Sequence, residues 1–248
     1  MGDASGDIDV IFEDGQVIGL VKPAGLPTAN APRGSPSVYT WLQRRLGSAA
    51  FVGIVSRLDA PVSGVVVVAK TPAAAADLAR QFRERTVAKE YAAVVEGRYP
   101  APLGQWVDWH DAIARRADEP RSTLQRDVAA AAEDGDEDDE TAAGGLAMRP
   151  AHVRGRVVRR AGEVSLVELE PSTGRRHQLR VQLASRGCPI VGDRLYGARL
   201  PHPAGIALHA RRLTFEHPQT GAAVVLEAGP PPAWQARFPA LFRGGAAG

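Results

Sequence analysis

Arg57 and Asp59 stand two residues apart in the stretch VSRLDAPVSGVVVVAK, residues 55–70, between two segments whose apolar content marks them as buried. Asp59 is the informative member of the pair. As a turn residue ahead of Ala60-Pro61 it would bond its own backbone, and spacing alone favours that reading. Held up at a site instead, a carboxylate can attack carbon or accept a proton. A two-carboxylate glycosidase arrangement needs a second acid near Asp59; Asp193 is the candidate, and it is read as structural. A second concentration of polar chemistry is Gly174-Arg175-Arg176-His177-Gln178-Leu179-Arg180. Arg176 and Arg180 are four apart and share a helix face, with Leu179 and Leu183 on the neighbouring one. A solvated basic face would account for Arg176. Placing His177, Gln178 and Arg180 within a packed helix asks for polar partners nearby.

Other site chemistries lack their residues. The six histidines are scattered and Cys188 is the single cysteine, so neither a zinc site nor an intrachain disulfide has support. No phosphate-cradling glycine loop is present, and Ser63-Gly64 lacks the flanking glycines of a nucleophile elbow. The acidic run EDGDEDDE, residues 133–140, fails as a calcium loop because the sixth position counted from Asp134 is Asp139 rather than glycine. A metal-free, cofactor-free site is the simplest expectation.

Short strands must position these residues. Ile8–Phe12 and Gln16–Val21 flank an Asp14-Gly15 turn, and Phe51–Val55 and Gly64–Ala69 flank the Asp59 motif. Further strands are expected over Lys89–Glu96, His152–Arg159, Val164–Leu169, Leu208–Phe215 and Ala223–Leu226. Helices are expected over Pro36–Leu46, over 73–85 with Pro72 in its first turn, over Arg175–Ser185 capped by Ser172 or Thr173, and over Pro232–Phe242. Many strands with few helices, out of simple alternation, indicate an α+β domain around a mixed, mostly antiparallel sheet. One domain over residues 8–243 is expected, with a flexible acidic insertion at 115–148, where the pattern dissolves into alanine, glycine and charge.

An apolar fraction of 44% beside 23% charge suits a soluble globular chain, and Val65–Ala69 is far too short to cross a bilayer. The opening MGDASGDIDV has no basic-then-apolar pattern, so a cytoplasmic protein without a secretory signal is expected. The formal charge of +2 conceals a basic fold: setting aside the seven acids of residues 133–140 reduces the acidic count from 28 to 21, against 30 basic residues. That balance points toward a polyanionic partner.

Several segments together resemble the RluA-type RNA pseudouridine synthases. They are Lys22-Pro23-Ala24-Gly25-Leu26; Ser56-Arg57-Leu58-Asp59 with Ser63-Gly64; Lys89-Glu90-Tyr91; Gly174 to Val181 leading to Pro189-Ile190-Val191-Gly192-Asp193 and Leu195-Tyr196-Gly197; and Leu208-His209-Ala210 through His217-Pro218 and Thr220-Gly221. The resemblance implies an enzyme that detaches uracil from ribose within RNA, rotates it and rejoins it through carbon, without cofactor or metal. It assigns Asp59 as nucleophile or base, Arg180 as the arginine pairing with that carboxylate, and Tyr91 as the ring that stacks on the flipped uracil and assists proton transfer. Arg57 aligns with a residue filling the gap left in the RNA, and Arg176, His177 and Gln178 are expected to contact RNA. Tyr196 and Cys188 read as structural, and Trp106 and Trp109 as bracing a strand. Ser56, Val62 and Gln182 depart from frequent family residues and mark a divergent subfamily. The chain ahead of Lys22 leaves no room for an S4-type domain, so residues such as Arg80, Arg83, Arg85 and Arg154 would recognise ribosomal or transfer RNA from the catalytic domain alone. The family expectation is a monomer. The other reading is an inactive RNA-binding protein on the same scaffold.

Overall fold

The strand beyond the Asp59 motif, β3 (Ser63–Ala69), is four valines long at its centre and buried at every position. A run apolar on both faces can satisfy itself only as a central strand covered on two sides. Val65 and Val67 pack with Ala74 and Leu78 of α2 (Pro72–Arg83), whereas Val66 and Val68 pack with Val38 and Leu42 of α1 (Val38–Leu46). The alternation follows the two-residue period of a strand. Both helices start at side-chain caps: Ser37 and Thr40 form a reciprocal capping box, and Thr71 accepts from the Ala74 N–H.

The computed structural model describes residues 8–32, 34–115, 119–126 and 148–242. They form two compact units, one of the described residues within 8–91 and 204–230, the other of those within 92–203 and 231–242. Among the described residues there are ten strands and five α-helices. In the first unit the strands run in the order β1 (Asp9–Glu13), β2 (Val17–Lys22), β3 and β9 (Leu208–Glu216), with β10 (Ala223–Glu227) paired to β9. Among the registers described, pairing is antiparallel except at β3–β9, where Ser63 and Gly64 lie parallel to His209 and Ala210. Gly64, at φ 125°, leaves no room for a Cβ against the Ala210 backbone, so only glycine allows that approach. The β1–β2 turn is made by Asp14, whose Oδ1 accepts from the N–H groups of Gln16 and Val17.

β4 (Ala88–Glu96) carries the chain from the first unit into the second. There β8 (Val164–Pro171), β7 (Arg149–Ala161), β5 (Trp106–Arg115) and β6 (Ser122–Gln125) follow in antiparallel order. α3 (Gln178–Ser185) and a 3-10 turn (Arg194–Tyr196) lie in this unit, as do α4 (Pro232–Arg237) and α5 (Pro239–Phe242). Its core includes Val94, Val157, Leu169, Leu183, Ile190 and Trp234. The fold is α+β around a mixed, mostly antiparallel sheet, as expected.

Several local expectations are corrected. Phe51–Val55 is no strand; Gly53 alone meets Ala69, while Val52 and Ile54 pack on the α1 cluster. Its apolar pattern reflects burial rather than a ladder. The final helix breaks at Pro239, which has no N–H to continue it. β6 lies inside the stretch expected to be a flexible insertion, while the acidic run at 133–140 falls outside the described residues. No described helix is long and apolar enough to span a membrane.

Candidate active site

The four successive backbone carbonyls from Leu58 to Pro61 each have a donor. Thr28 bonds Leu58 on both sides, its hydroxyl donating to the Leu58 carbonyl at 3.0 Å and accepting the Leu58 N–H at 3.1 Å. The Asp59 carbonyl accepts from Val62 N–H at 3.0 Å, closing the turn around Pro61, and the Pro61 carbonyl accepts from Ile206 N–H at 3.0 Å. The Ala60 carbonyl receives both the Gly25 N–H at 2.7 Å and Lys22 Nζ at 3.2 Å. Gly25 adopts φ 89°, so this loop uses a conformation that glycine enters without strain. Asp59 itself is half-buried and Arg57 exposed. The motif is thus both a turn and a rigid mount for one carboxylate.

Lys22 is the buried cation beneath that mount. It ends β2 with no exposed surface, and its ammonium donates to the Leu26, Pro23 and Ala60 carbonyls at 2.7, 3.0 and 3.2 Å. Burial pulls its pKa from the ordinary 10.5 down to about 7, and the nearby Asp59 carboxylate holds it up against that fall. Three converging carbonyls match the three hydrogens of the charged form. Tyr91, in β4, also senses Asp59: burial first, then the carboxylate, pushes its phenol up to about 12. The ring keeps some exposed surface while its hydroxyl is desolvated, and it stays a neutral phenol at neutral pH. The first unit therefore gathers Asp59, Tyr91 and Lys22. The last was quoted in the sequence only as part of a motif; the signal was a lysine closing an apolar strand.

Replacing Lys22 by Met should lower stability by about 1–3 kcal/mol, since a buried carbonyl at Leu26 loses its donor. The folded protein holds the Lys22 proton less tightly than the unfolded chain does. Wild-type stability should therefore be least below pH 7 and rise as pH climbs toward 10.5, by at most about 1.4 kcal/mol per pH unit. Urea unfolding between pH 6 and 9 should show that slope in the wild type and its loss in Lys22→Met.

His209 fixes the strand that follows. It is buried, its Nε2 donates to the Ala228 carbonyl at 3.1 Å, and its Nδ1 accepts from the Ser63 hydroxyl at 2.9 Å. Burial pushes its pKa down to about 4, so it is neutral at pH 7.

The second unit carries the basic cluster. α3 begins at Gln178, three residues later than expected, because His177 takes the left-handed conformation at φ 56°. Arg176 is exposed and His177 half-buried. Gln178, expected to contact RNA, is buried instead: its Oε1 accepts from the Thr173 hydroxyl at 2.7 Å and the Arg175 N–H at 3.0 Å, and its Nε2 donates to the His152 carbonyl at 3.0 Å. It ties the helix start to β7. Arg180 is buried too, and Asp193 grips it by a fork, Nε to Oδ2 at 2.7 Å and Nη2 to Oδ1 at 2.9 Å. Asp193, itself buried, is thus one polar partner of the kind the sequence demanded. At the far end of α3, Arg186 forms a second buried fork with Asp111, joined by Gln182. Cys188 is buried, and burial raises its thiol to about 11, so it is no nucleophile at neutral pH. Among the described residues, no group of three or more His, Cys, Asp or Glu could hold a metal ion.

Comparison with known proteins identifies the family to which the chain is similar. Residues 16–185 match the family model described as RNA pseudouridylate synthase. The chain is 36% identical over 225 residues to the dual-specificity RNA pseudouridine synthase RluA of Escherichia coli strain K12, covering 88% of this chain and 91% of that one. It is 33% identical over 227 residues to the uncharacterized RNA pseudouridine synthase YhcT of Bacillus subtilis strain 168, covering 90% of this chain and 68% of that one. Among solved structures it resembles human RNA pseudouridylate synthase domain containing 1, with a TM-score of 0.69, 27% identity, and 92% and 86% of the two chains covered.

Proposed function

The chain belongs to the RNA pseudouridylate synthase family, and from that premise we propose that Asp59, Tyr91 and Arg180 carry the isomerisation of uridine in RNA to pseudouridine. The reaction breaks the bond between N1 of uracil and C1′ of ribose and makes one between C5 and C1′; C5 gives up a proton and N1, freed from the ribose, takes one up. Asp59 serves as nucleophile or base at the sugar. The observation that carries this reading is its mount: a half-buried carboxylate on a turn whose successive carbonyls are all bonded, with a buried lysine beside it. Such preorganisation suits a group that must meet a carbon atom at fixed distance. A phenol raised to about 12 suits Tyr91 for stacking on the extruded base and for donating a hydrogen bond, not for acting as phenolate. Arg180, its plane set by Asp193, supplies fixed positive charge.

The substrate is a structured ribosomal or transfer RNA, in keeping with relatives named for dual specificity and for the ribosomal large subunit. The exposed Arg57 and Arg176, with His177, contact it. The protein works as a cytoplasmic monomer. Pseudouridine maps of total RNA with and without the protein should differ at one or a few uridines. Identical maps, together with unaltered binding of RNA, would favour the inactive scaffold instead.

A further inference from the structure

The turn that supplies Asp193 also supplies an aromatic ring to the same guanidinium. Tyr196 closes the 3-10 turn, its N–H bonding the Asp193 carbonyl at 3.0 Å, and Gly197 follows at φ 91°. Cζ of Arg180 stands 5.2 Å from the centroid of the Tyr196 ring. Asp193 therefore sets the guanidinium by one edge and Tyr196 by one face. The hydroxyl at the other end of the ring accepts the Ser122 N–H at 2.8 Å and lies 2.9 Å from Nδ1 of His177. The rings of His177 and Tyr196 meet edge to face, with centroids 5.7 Å apart.

Donor arithmetic allows this contact a direction. A phenol has one hydrogen to donate, and an N–H can only donate. Ser122 takes a lone pair of the phenol oxygen and leaves the phenol hydrogen available to His177 Nδ1. With the phenol donating, Nδ1 is the acceptor and the proton of a neutral imidazole sits on Nε2. The residue so controlled is held in a left-handed conformation at the head of α3, its carbonyl bonded by the Val181 N–H at 3.0 Å. Strained residues of this kind persist where the surroundings over-determine them. Packing alone does not ask for the hydroxyl, since phenylalanine would fill the same volume.

We propose that Tyr196 is a positioning residue of the isomerase, holding the plane of Arg180 with its ring and fixing the Nε2–H form of His177 with its hydroxyl. His177 thereby meets an oxygen acceptor of the RNA as a hydrogen-bond donor. This rests on the roles given above to Arg180 and His177. Tyr196→Phe keeps the ring and loses the hydroxyl; Tyr196→Leu loses both. On an RNA that the wild type modifies, Tyr196→Phe should raise KM about tenfold with kcat within twofold, whereas Tyr196→Leu should also lower kcat at least about tenfold. Nitrogen NMR of histidine-labelled protein should show His177 as the Nε2–H tautomer in the wild type and as a mixture in Tyr196→Phe. A merely structural tyrosine would lower the melting temperature in both variants while leaving kcat, KM and the tautomer of the folded protein unchanged, and that result overturns the proposal. So does an Nδ1–H tautomer in the wild type. Should the wild type itself modify no RNA, the family-level activity fails and this inference falls with it; wild-type turnover matched by both variants removes this inference alone.

Discussion

Asp59→Asn should fold as the wild type does and form no detectable pseudouridine. The substitution keeps the side-chain shape and every backbone bond of the turn, since Thr28, Gly25, Val62 and Ile206 all engage main-chain groups. It removes the negative charge and with it both candidate roles, nucleophile and base. Losing a group that acts on the reacting carbon costs at least about 10⁴-fold in rate, or roughly 5.5 kcal/mol of transition-state stabilisation. Two electrostatic consequences should accompany that loss. Lys22 loses the carboxylate that raises its pKa, and Tyr91 loses the one that adds to its own. Single-turnover assays on a modified RNA, with thermal unfolding as control, decide the matter: activity within tenfold of wild type removes Asp59 from the chemistry.

Asp193→Ala should be the most destabilising of the polar substitutions considered. It strips the buried guanidinium of Arg180 of the carboxylate along its Nε–Nη2 edge. Removing one member of a buried ion pair costs about 3–5 kcal/mol, because the remaining charge stays desolvated. For a chain of this length that corresponds to a fall of roughly 10 °C in Tm. A buried charge deprived of this carboxylate, rather than the lost contact, is the cause, so adding Arg180→Met should restore part of the stability. It should restore no activity. Calorimetry on the single and double variants tests this; a double variant no more stable than Asp193→Ala would mean that the pair stabilises by its contacts alone.

Much of this architecture was legible because its signals are local or strongly patterned. The four valines of β3, the Thr71-Pro72 start of α2 and the polar run around Arg180 each declare themselves within a few residues. What escaped depends on convergence. Three carbonyls from residues 23, 26 and 60 meet Lys22, and nothing in their side chains announces it. Gln178 looks like a surface amide until Thr173, Arg175 and His152 are seen to consume both ends of it. The segment at 51–55 has the composition of a strand, yet its side chains only plug a cluster. β6 is four residues long, too short to register as a period amid alanine and charge. The break at Pro239 was readable from proline's missing N–H, and the expectation of a continuous last helix overlooked it.

The parallel contact between β3 and β9 has a consequence for how the chain acquires its shape. Ser63 and His209 are 146 positions apart, and the first unit draws its last strands from residues 204–230. A ribosome must therefore synthesise a further 146 residues after Ser63 before the strand following Asp59 finds this neighbour. Closing so long a loop is entropically slow. Until it closes, a valine-rich segment waits with one edge uncovered, a natural target for holding chaperones during synthesis.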